Sequence, residues 1–151
     1  MKLLITAGAT REAIDPVRYL SNVSTGATGA ALATALAERG QAVTLLHGEG
    51  AMKPAGDVAT ESFLSAEDLR VKLRTLLVEG IYDAVIMAAA VADYRPVSSA
   101  AEKISSAAET LTLNLKRNPK ILPRSEERRV GKEGGWGGGG GGEKRRKQKR
   151  S

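Results

Sequence analysis

The chain has 151 residues, of which 42% are hydrophobic, with no cysteine and a formal net charge of +6. This length and composition are typical of one globular domain with a real core, and the lack of cysteine excludes disulfides, thiolate metal sites and a catalytic thiol on this chain. The amino terminus lacks the apolar core of a signal peptide, and no apolar run approaches the ~20 residues that span a bilayer. We therefore expect a cytoplasmic protein with no membrane partner.

The positive charge is confined to residues 124–151, which hold ten Lys or Arg and four Glu, whereas residues 1–123 hold 13 of each sign. The tail has no helical or strand period, which predicts disorder. One interpretation is a basic RNA-binding arm. We favour another: "RSEERRVGKE" reads as a translated sequencing adapter followed by a poly-G run, so that the native sequence ends near Leu122 or Pro123. We therefore divide the chain into a domain, 1–123, and a tail, 124–151, and expect no nucleic-acid partner.

The domain alternates between strand and helix patterns in chain order. Apolar runs at 2–6 and 42–48 predict strands, with a shorter one at 58–63. A helix is predicted from about Gly26 to Arg39, with Gly40 as its C-terminal cap, and a second helix begins after Ser65, with Glu67 and Asp68 at the positive end of its dipole.

The unbroken apolar run 84–92 predicts a central parallel strand buried on both faces, and the alternation in 109–116 predicts a strand with one wet face. The expected fold class is α/β, a Rossmann-like, open, mostly parallel sheet with helices on both faces. Ligands of such sheets bind beyond the carboxyl ends of the strands. The first loop and the end of the 84–92 strand should therefore meet at one crevice.

That first loop is unusually long, since roughly 18 residues separate the first strand from the first helix. It ends in Ser24, Thr25 and Gly26, whose hydroxyls and backbone N–H groups at a helix start suit a phosphate, although Ser and Thr also cap helices without binding anything. Gly8 stands far from Gly26 and Gly29, so the pattern departs from G-x-G-x-x-G and disfavours an ordinary NAD site.

The stretch "TAGATREAIDPVRYLSN" closely resembles the opening motif of phosphopantothenoylcysteine synthetase, the C-terminal ligase domain of the bacterial bifunctional coenzyme A biosynthesis flavoprotein. "AAAVADYRP" followed by "EKI", and then "NPKIL", resemble that family's later motifs in the same order. The resemblance covers residues 1 to about 122 and implies that the fold is incomplete at the C-terminus. It also implies a cytidylate-forming ligase that joins 4'-phosphopantothenate to L-cysteine, with CTP as a substrate, Mg²⁺ as cofactor and a homodimeric full-length form.

The resemblance also implies residue roles. Asn22 would contact the acyl-cytidylate and Arg18 would assist in the same pocket, while Lys103 would bring positive charge to the triphosphate. The nucleotide would be held by the following residues: Ser24, Thr25, Gly26, Ala88, Ala89, Ala90, Asp93, Lys103, Pro119, Lys120, Ile121 and Leu122. No protein-bound metal site is expected.

Each role has an ordinary alternative from the residues alone. Arg18 and Asp15 could form an exposed ion pair, Asn22 could bond its own loop backbone, Asp93 could end a strand and Lys103 could be solvated. Ser105 and Ser106 stand where the family has flap lysines. With the rest of the family domain missing, we expect at most feeble catalysis by this chain.

One alternative function is that of a short-chain NAD(P) oxidoreductase. Such an enzyme would need a Tyr-x-x-x-Lys pair, which Tyr19, Tyr82 and Tyr94 do not form. The other alternative is nucleic-acid binding through the tail.

Overall fold

A computed structural model describes residues 1–121 of the chain. The tail 124–151, with Leu122 and Pro123, lies outside the described residues. The strands are β1 Lys2–Ala7, β2 Arg11–Asp15, β3 Arg18–Ser21, β4 Ala42–Gly48, β5 Ala59–Phe63, β6 Ala84–Met87, β7 Tyr94–Pro96 and β8 Leu115–Arg117, and the helices are α1 Ala27–Glu38 and α2 Ala66–Glu79.

Four parallel strands form the main sheet in the order β5-β4-β1-β6. From β1 the chain adds β4 and then β5 on one side of the sheet, and it then crosses back to add β6 on the other side of β1. The strand order therefore reverses between β1 and β6. Ligands of doubly wound sheets bind beside this reversal, at the carboxyl ends of the strands. The fold thus confirms the expected class and places the crevice beyond Ala7 and Met87.

The two faces of the sheet carry one helix each. Alternate residues of β1 and β4 pack with α1 in a buried cluster built around Leu3, Ile5, Val43, Leu45 and Ala33. The intervening residues Leu4 and Leu46 are fully buried as well, on the opposite face. That face is crossed by α2, which runs from β5 back to β6 and buries Leu69 and Leu73.

Both helices begin, and α1 ends, within a residue of where the sequence predicted. Ser65 caps α2 by accepting a hydrogen bond from the backbone N–H of Asp68 at 3.1 Å. Gly40 follows α1 with φ +78°, the left-handed conformation of a C-terminal cap, and its N–H donates to the carbonyl of Ala37 at 2.8 Å.

The sequence suggested an open loop after β1, but the structure shows an ordered segment there. It folds into an antiparallel hairpin of β2 and β3, with an irregular register between Ala13 and Asp15. The turn is held by the Asp15 carboxylate, which accepts hydrogen bonds from the backbone N–H groups of Val17 and Arg18 at 2.9 and 2.8 Å. The ordering entropy of a long loop is therefore offset by a local ladder and a capped turn.

Two strand predictions need correction. β6 ends at Met87 rather than at residue 92, and within the described residues it pairs only with β1, which leaves Ala84–Ile86 half-buried and Met87 39% exposed. The expectation of a central strand buried on both faces was wrong because, within residues 1–121, no strand pairs with the other side of β6. The alternating stretch 109–116 gives only the short strand β8, which pairs with β7 in an exposed two-stranded ribbon.

Candidate functional site

The chain segments that follow β1 and β6 stay bonded to each other past the ends of both strands. The N–H of Ala90 donates to the carbonyl of Gly8 at 2.7 Å, and the N–H of Thr10 donates to the carbonyl of Ala90 at 3.2 Å. Ala9 and Ala90 form a parallel bridge. The first loop and the "AAAVADY" stretch therefore meet at one crevice, as predicted.

Two buried threonines fix the backbone of the second segment. The hydroxyl of Thr6 accepts a hydrogen bond from the N–H of Ala89 at 3.2 Å, and the hydroxyl of Thr10 accepts one from the N–H of Ala92 at 2.9 Å. Both threonines have no solvent-exposed surface. The hydroxyls thus satisfy backbone donors that would otherwise be buried without partners, and they set the position of residues 88–92.

Asn22 joins the end of the hairpin to this segment. Its side-chain amide donates to the carbonyl of Val91 at 3.1 Å. The neighbouring Ser21 hydroxyl donates to the carbonyl of Thr10 at 2.7 Å. Asn22 lies on the wall of a cavity of about 330 Å³, which we call the hairpin cavity. Its lining residues are Ala9, Arg11, Tyr19, Ser21, Asn22, Val23, Ser24, Glu49, Gly50 and Ala51.

A second cavity, of about 340 Å³, lies at the start of α1 and is called here the helix cavity. Its wall contains Ser24, Thr25 and Gly26, together with Ala88 from the end of β6. Gly26 is the N-cap residue and has no side chain to cap α1, while the N–H of Ala27 donates to the hydroxyl of Thr25 at 3.3 Å. The first N–H groups of a helix have no partner within it and form the positive end of its dipole, so this cavity suits an anion.

Gly8 and Gly26 lie against each other, although 17 residues separate them in the chain. A Cβ built on Gly26 would lie 3.2 Å from the backbone nitrogen of Gly8, and both glycines have positive φ, +78° and +74°. A Cβ on Gly29 would come within 2.4 Å of the Cβ of Ala7, which shows how closely α1 packs on β1. The three glycines therefore reassemble a glycine-rich strand-to-helix turn, and the hairpin is inserted inside it.

Arg18 is engaged elsewhere than in these cavities. Its Nη2 lies 2.7 Å from the Oδ2 of Asp15, and the same guanidinium donates to the carbonyl of Ile104. The Asp15 Oδ2 also accepts from the N–H of Ile104 at 3.1 Å. Burial raises the pKa of the Asp15 carboxyl, but its hydrogen bonds with Val17, Arg18 and Ile104 outweigh burial and lower that pKa to about 2. We call this ion pair and its bonds to Ile104 the clasp.

The clasp positions the segment that carries Lys103. Lys103 itself is exposed and directly precedes Ile104, whose N–H and carbonyl are both bound by the clasp. The carbonyl of Ile14 accepts a further hydrogen bond from the N–H of Ala100 at 2.9 Å. The turn of the hairpin is therefore the anchor of this segment.

The remaining predicted residues lie on the segments that follow β6 and β8. Asp93 is exposed, and its carbonyl accepts a hydrogen bond from the N–H of Asn118 at 2.8 Å. Pro119 and Lys120 are exposed and Ile121 is half-buried, whereas Leu122 lies outside the described residues.

Sequence reasoning passed over Asn118, which ties the "NPKIL" stretch to the crevice. Its amide donates to the carbonyl of Ala92 at 2.8 Å. The residue is only 6% exposed, and its Oδ1 has no hydrogen-bond partner among residues 1–121. Its place at the head of the quoted motif was the signal that could have found it.

Sequence reasoning also missed Arg11 and Tyr19 in the hairpin cavity. The guanidinium of Arg11 lies 4.8 Å from the centre of the Tyr19 ring, within the range of a cation–π contact. Their spacing follows from the pairing of β2 with β3, which the sequence did not predict.

Two observations bear on metals and membranes. No group of three or more His, Cys, Asp or Glu side chains that could hold a metal ion occurs in residues 1–121. Within the same residues, neither helix has the length and apolar character needed to cross a membrane.

Comparison with known proteins gives a consistent result. Residues 1–133 match the family described as "DNA/pantothenate metabolism flavoprotein C-terminal domain". The chain is 41% identical over 123 residues to the "Coenzyme A biosynthesis bifunctional protein CoaBC" of Vibrio parahaemolyticus, an alignment that covers 80% of this chain and 30% of the relative. The chain thus spans about 30% of the length of that curated relative.

Solved structures agree with this result. The DNA/pantothenate metabolism flavoprotein from Streptococcus pneumoniae superposes with a TM-score of 0.71 at 33% identity, covering 80% of this chain and 62% of that one. The C-terminal domain of a coenzyme A biosynthesis bifunctional protein CoaBC gives a TM-score of 0.65 at 37% identity, covering 80% and 55%.

Proposed function

The chain belongs to the family of the DNA/pantothenate metabolism flavoprotein C-terminal domain, and from this premise we propose that it forms part of a ligase that joins 4'-phosphopantothenate to L-cysteine. The observation that carries the proposal is the junction of the hairpin with the end of β6, where Asn22 is bonded to Val91 between an anion-suited helix start and a second cavity.

The proposed reaction has two steps. In the first, a carboxylate oxygen of phosphopantothenate attacks the α-phosphorus of CTP, forms an acyl-cytidylate and releases pyrophosphate. In the second, the amine of cysteine attacks the acyl carbon, forms the amide and releases CMP together with a proton. Both steps move negative charge on oxygen atoms, and fixed N–H donors aimed at such oxygens accelerate them.

The helix cavity is the natural place for the nucleotide phosphates. The N–H groups of Thr28 and Gly29, which follow the one bound by Thr25, supply donors, and the hydroxyls of Ser24 and Thr25 lie on the same wall. Gly26 has no side chain to block close approach. Residues 88–90, whose backbone is fixed by β1 and Thr6, would line the nucleotide, with Asp93 and Pro119–Ile121 at its outer edge.

Asn22 and Lys103 would act on the reacting groups. The Asn22 amide is a neutral donor held at the junction by its bond to Val91, so it can orient an acyl-phosphate without an ion-pair cost. Lys103 is exposed on a segment that the clasp anchors, and we assign its ammonium to the triphosphate. Arg18 serves this arrangement through the clasp, because its guanidinium is bound to Asp15 and Ile104.

Mg²⁺, where it takes part, would be carried by the nucleotide phosphates and water. Such coordination by substrate phosphates is usual for Mg²⁺, and residues 1–121 offer no cluster of acidic side chains to replace it. We assign no protein ligand to the ion. We also propose that the full-length protein is a homodimer and that it works in the cytoplasm, where coenzyme A precursors and CTP meet.

Calorimetric titration of the chain with CTP, ATP and NAD⁺ tests the nucleotide assignment. We expect CTP to bind and NAD⁺ not to bind, and we expect Lys103→Gln to weaken CTP binding severalfold while Arg74→Gln, which removes a charge on the exposed side of α2, leaves it unchanged.

A pyrophosphate-release assay tests the first chemical step. Release by this chain, which we expect to be feeble, should require CTP and phosphopantothenate together, and Asn22→Ala should reduce it further. Binding of NAD⁺ in place of CTP, or release that ignores phosphopantothenate, would contradict the proposal.

A further inference from the structure

The hairpin cavity contains a cationic group that the family resemblance did not assign. Arg11 lies on its wall together with Asn22. Arg18, which the family resemblance had placed in the substrate pocket as an assisting residue, is bound to Asp15 and Ile104. Of these two arginines, Arg11 is therefore the one that faces the cavity of Asn22.

Arg11 has no acidic partner among residues 1–121. The ion pairs in that part of the chain join Asp15 to Arg18, Glu67 to Arg70 and Asp68 to Lys72. Its guanidinium is stacked on Tyr19, 4.8 Å from the ring centre. Stacking holds the planar group in one orientation and leaves its N–H edge available for an acceptor.

The surroundings of the guanidinium leave room for such an acceptor. Gly50 lies beside the Arg11 Nη2, where an added Cβ would come within 2.7 Å, and its φ of +77° is one that L side chains rarely adopt. Glu49, the one acidic residue of the lining, forms no ion pair with Arg11. Ser24 belongs to both cavities, so the hairpin cavity adjoins the helix cavity.

We propose that Arg11, held against Tyr19, is a phosphate-binding residue of the hairpin cavity. A stacked, unpaired guanidinium binds phosphate oxygens through two parallel N–H donors, which a lysine cannot reproduce. Resting on the proposed function, the phosphate belongs to one of two substrates, either phosphopantothenate or the nucleoside triphosphate. In both cases Arg11 sets how the substrate lies across Asn22.

Calorimetry on the 151-residue chain tests this proposal with phosphopantothenate, pantothenate, CTP and inorganic pyrophosphate as probes. Charge-assisted hydrogen bonds are strong enough that Arg11→Gln should weaken phosphate binding about tenfold or more, and Arg11→Lys by less. The matched control Arg74→Gln removes the same charge from an exposed position on α2 and should change nothing. Circular dichroism of each variant shows that the fold is retained.

The probes distinguish the two phosphate sources. If the phosphopantothenate affinity falls in Arg11→Gln while those for pantothenate and CTP do not, the phosphate is that of the acid substrate. If the CTP and pyrophosphate affinities fall instead, it belongs to the nucleotide. Equal binding of every probe by Arg11→Gln and Arg74→Gln would overturn the inference and leave the proposed function standing, whereas no binding of any probe by the parent chain would overturn both.

Discussion

Replacing Thr10 by valine tests whether the buried threonine hydroxyl builds the crevice. Valine keeps the shape of threonine, so no cavity forms, but the N–H of Ala92 loses its acceptor at 2.9 Å. Ala92 is 4% exposed, so water cannot easily replace that acceptor. An unsatisfied buried donor costs about 1–3 kcal/mol. At about 4 °C per kcal/mol for a domain of this size, Tm should fall by ~4–12 °C.

The measurement is thermal unfolding by circular dichroism together with hydrogen exchange at the Ala92 amide. Exchange at Ala92 should become faster in Thr10→Val, and CTP binding should weaken because residues 88–92 lose a fixed point. Thr75→Val is the matched control, since Thr75 is exposed on α2 and donates only to the carbonyl of Val71 within its own helix. Unchanged Tm and unchanged exchange at Ala92 in Thr10→Val would refute the reasoning.

Three further predictions concern the same crevice. Gly26→Ala should lower the free energy of unfolding by about 1–2 kcal/mol through its left-handed φ alone, and by more because the new Cβ would lie 2.9 Å from the Cβ of Ala51. Gly40→Ala isolates the cost of the left-handed φ, since nothing lies within 4 Å of its added Cβ, and equal losses in the two variants would argue against crowding at Gly26. The Asp15 carboxyl has a folded pKa of about 2 against 3.8 in the unfolded chain, so its stabilisation is complete above pH 3.8 and is lost as pH falls through 2. Urea unfolding between pH 5 and 2 should show a slope that Asp15→Asn reduces, the remainder including Glu67, whose pKa is lowered by Arg70; an unchanged slope would exclude the clasp as a source. Asn22→Ala should weaken phosphopantothenate binding in calorimetry while leaving Tm nearly unchanged, because Asn22 is exposed; full affinity in the variant would remove Asn22 from the site.

The regular elements were predictable because their signals are local. Apolar runs predicted the bounds of β1 and β4 to within a residue. Ser65 marks the start of α2 through its side chain, and Gly40 marks the end of α1 through its left-handed backbone. The hairpin was missed because β2 and β3 are short and of mixed polarity, and because its turn is completed by Ile104, which is remote in sequence.

The site shows the same division between local and distant information. The grouping of Asn22 with the end of β6 follows from strand order, which the alternation of strands and helices predicted. Strand order does not determine which of Arg18 and Arg11 faces the hairpin cavity, because that depends on which guanidinium forms the ion pair with Asp15. Within residues 1–121 the edge position of β6 depends likewise on which strands lie beside it, and the apolar run 84–92 does not carry that information.

The contact between Gly8 and Gly26 makes residues 9–25 a loop whose two ends already touch. Such a segment can be exchanged as a cassette, since a linker of a few residues would close the gap without moving β1 or α1. Arg11, Tyr19 and Asn22 all lie on it. Under the proposed function, exchanging this segment between related proteins, with Ser24 and Thr25 left in place, is a route to altering which acid is accepted.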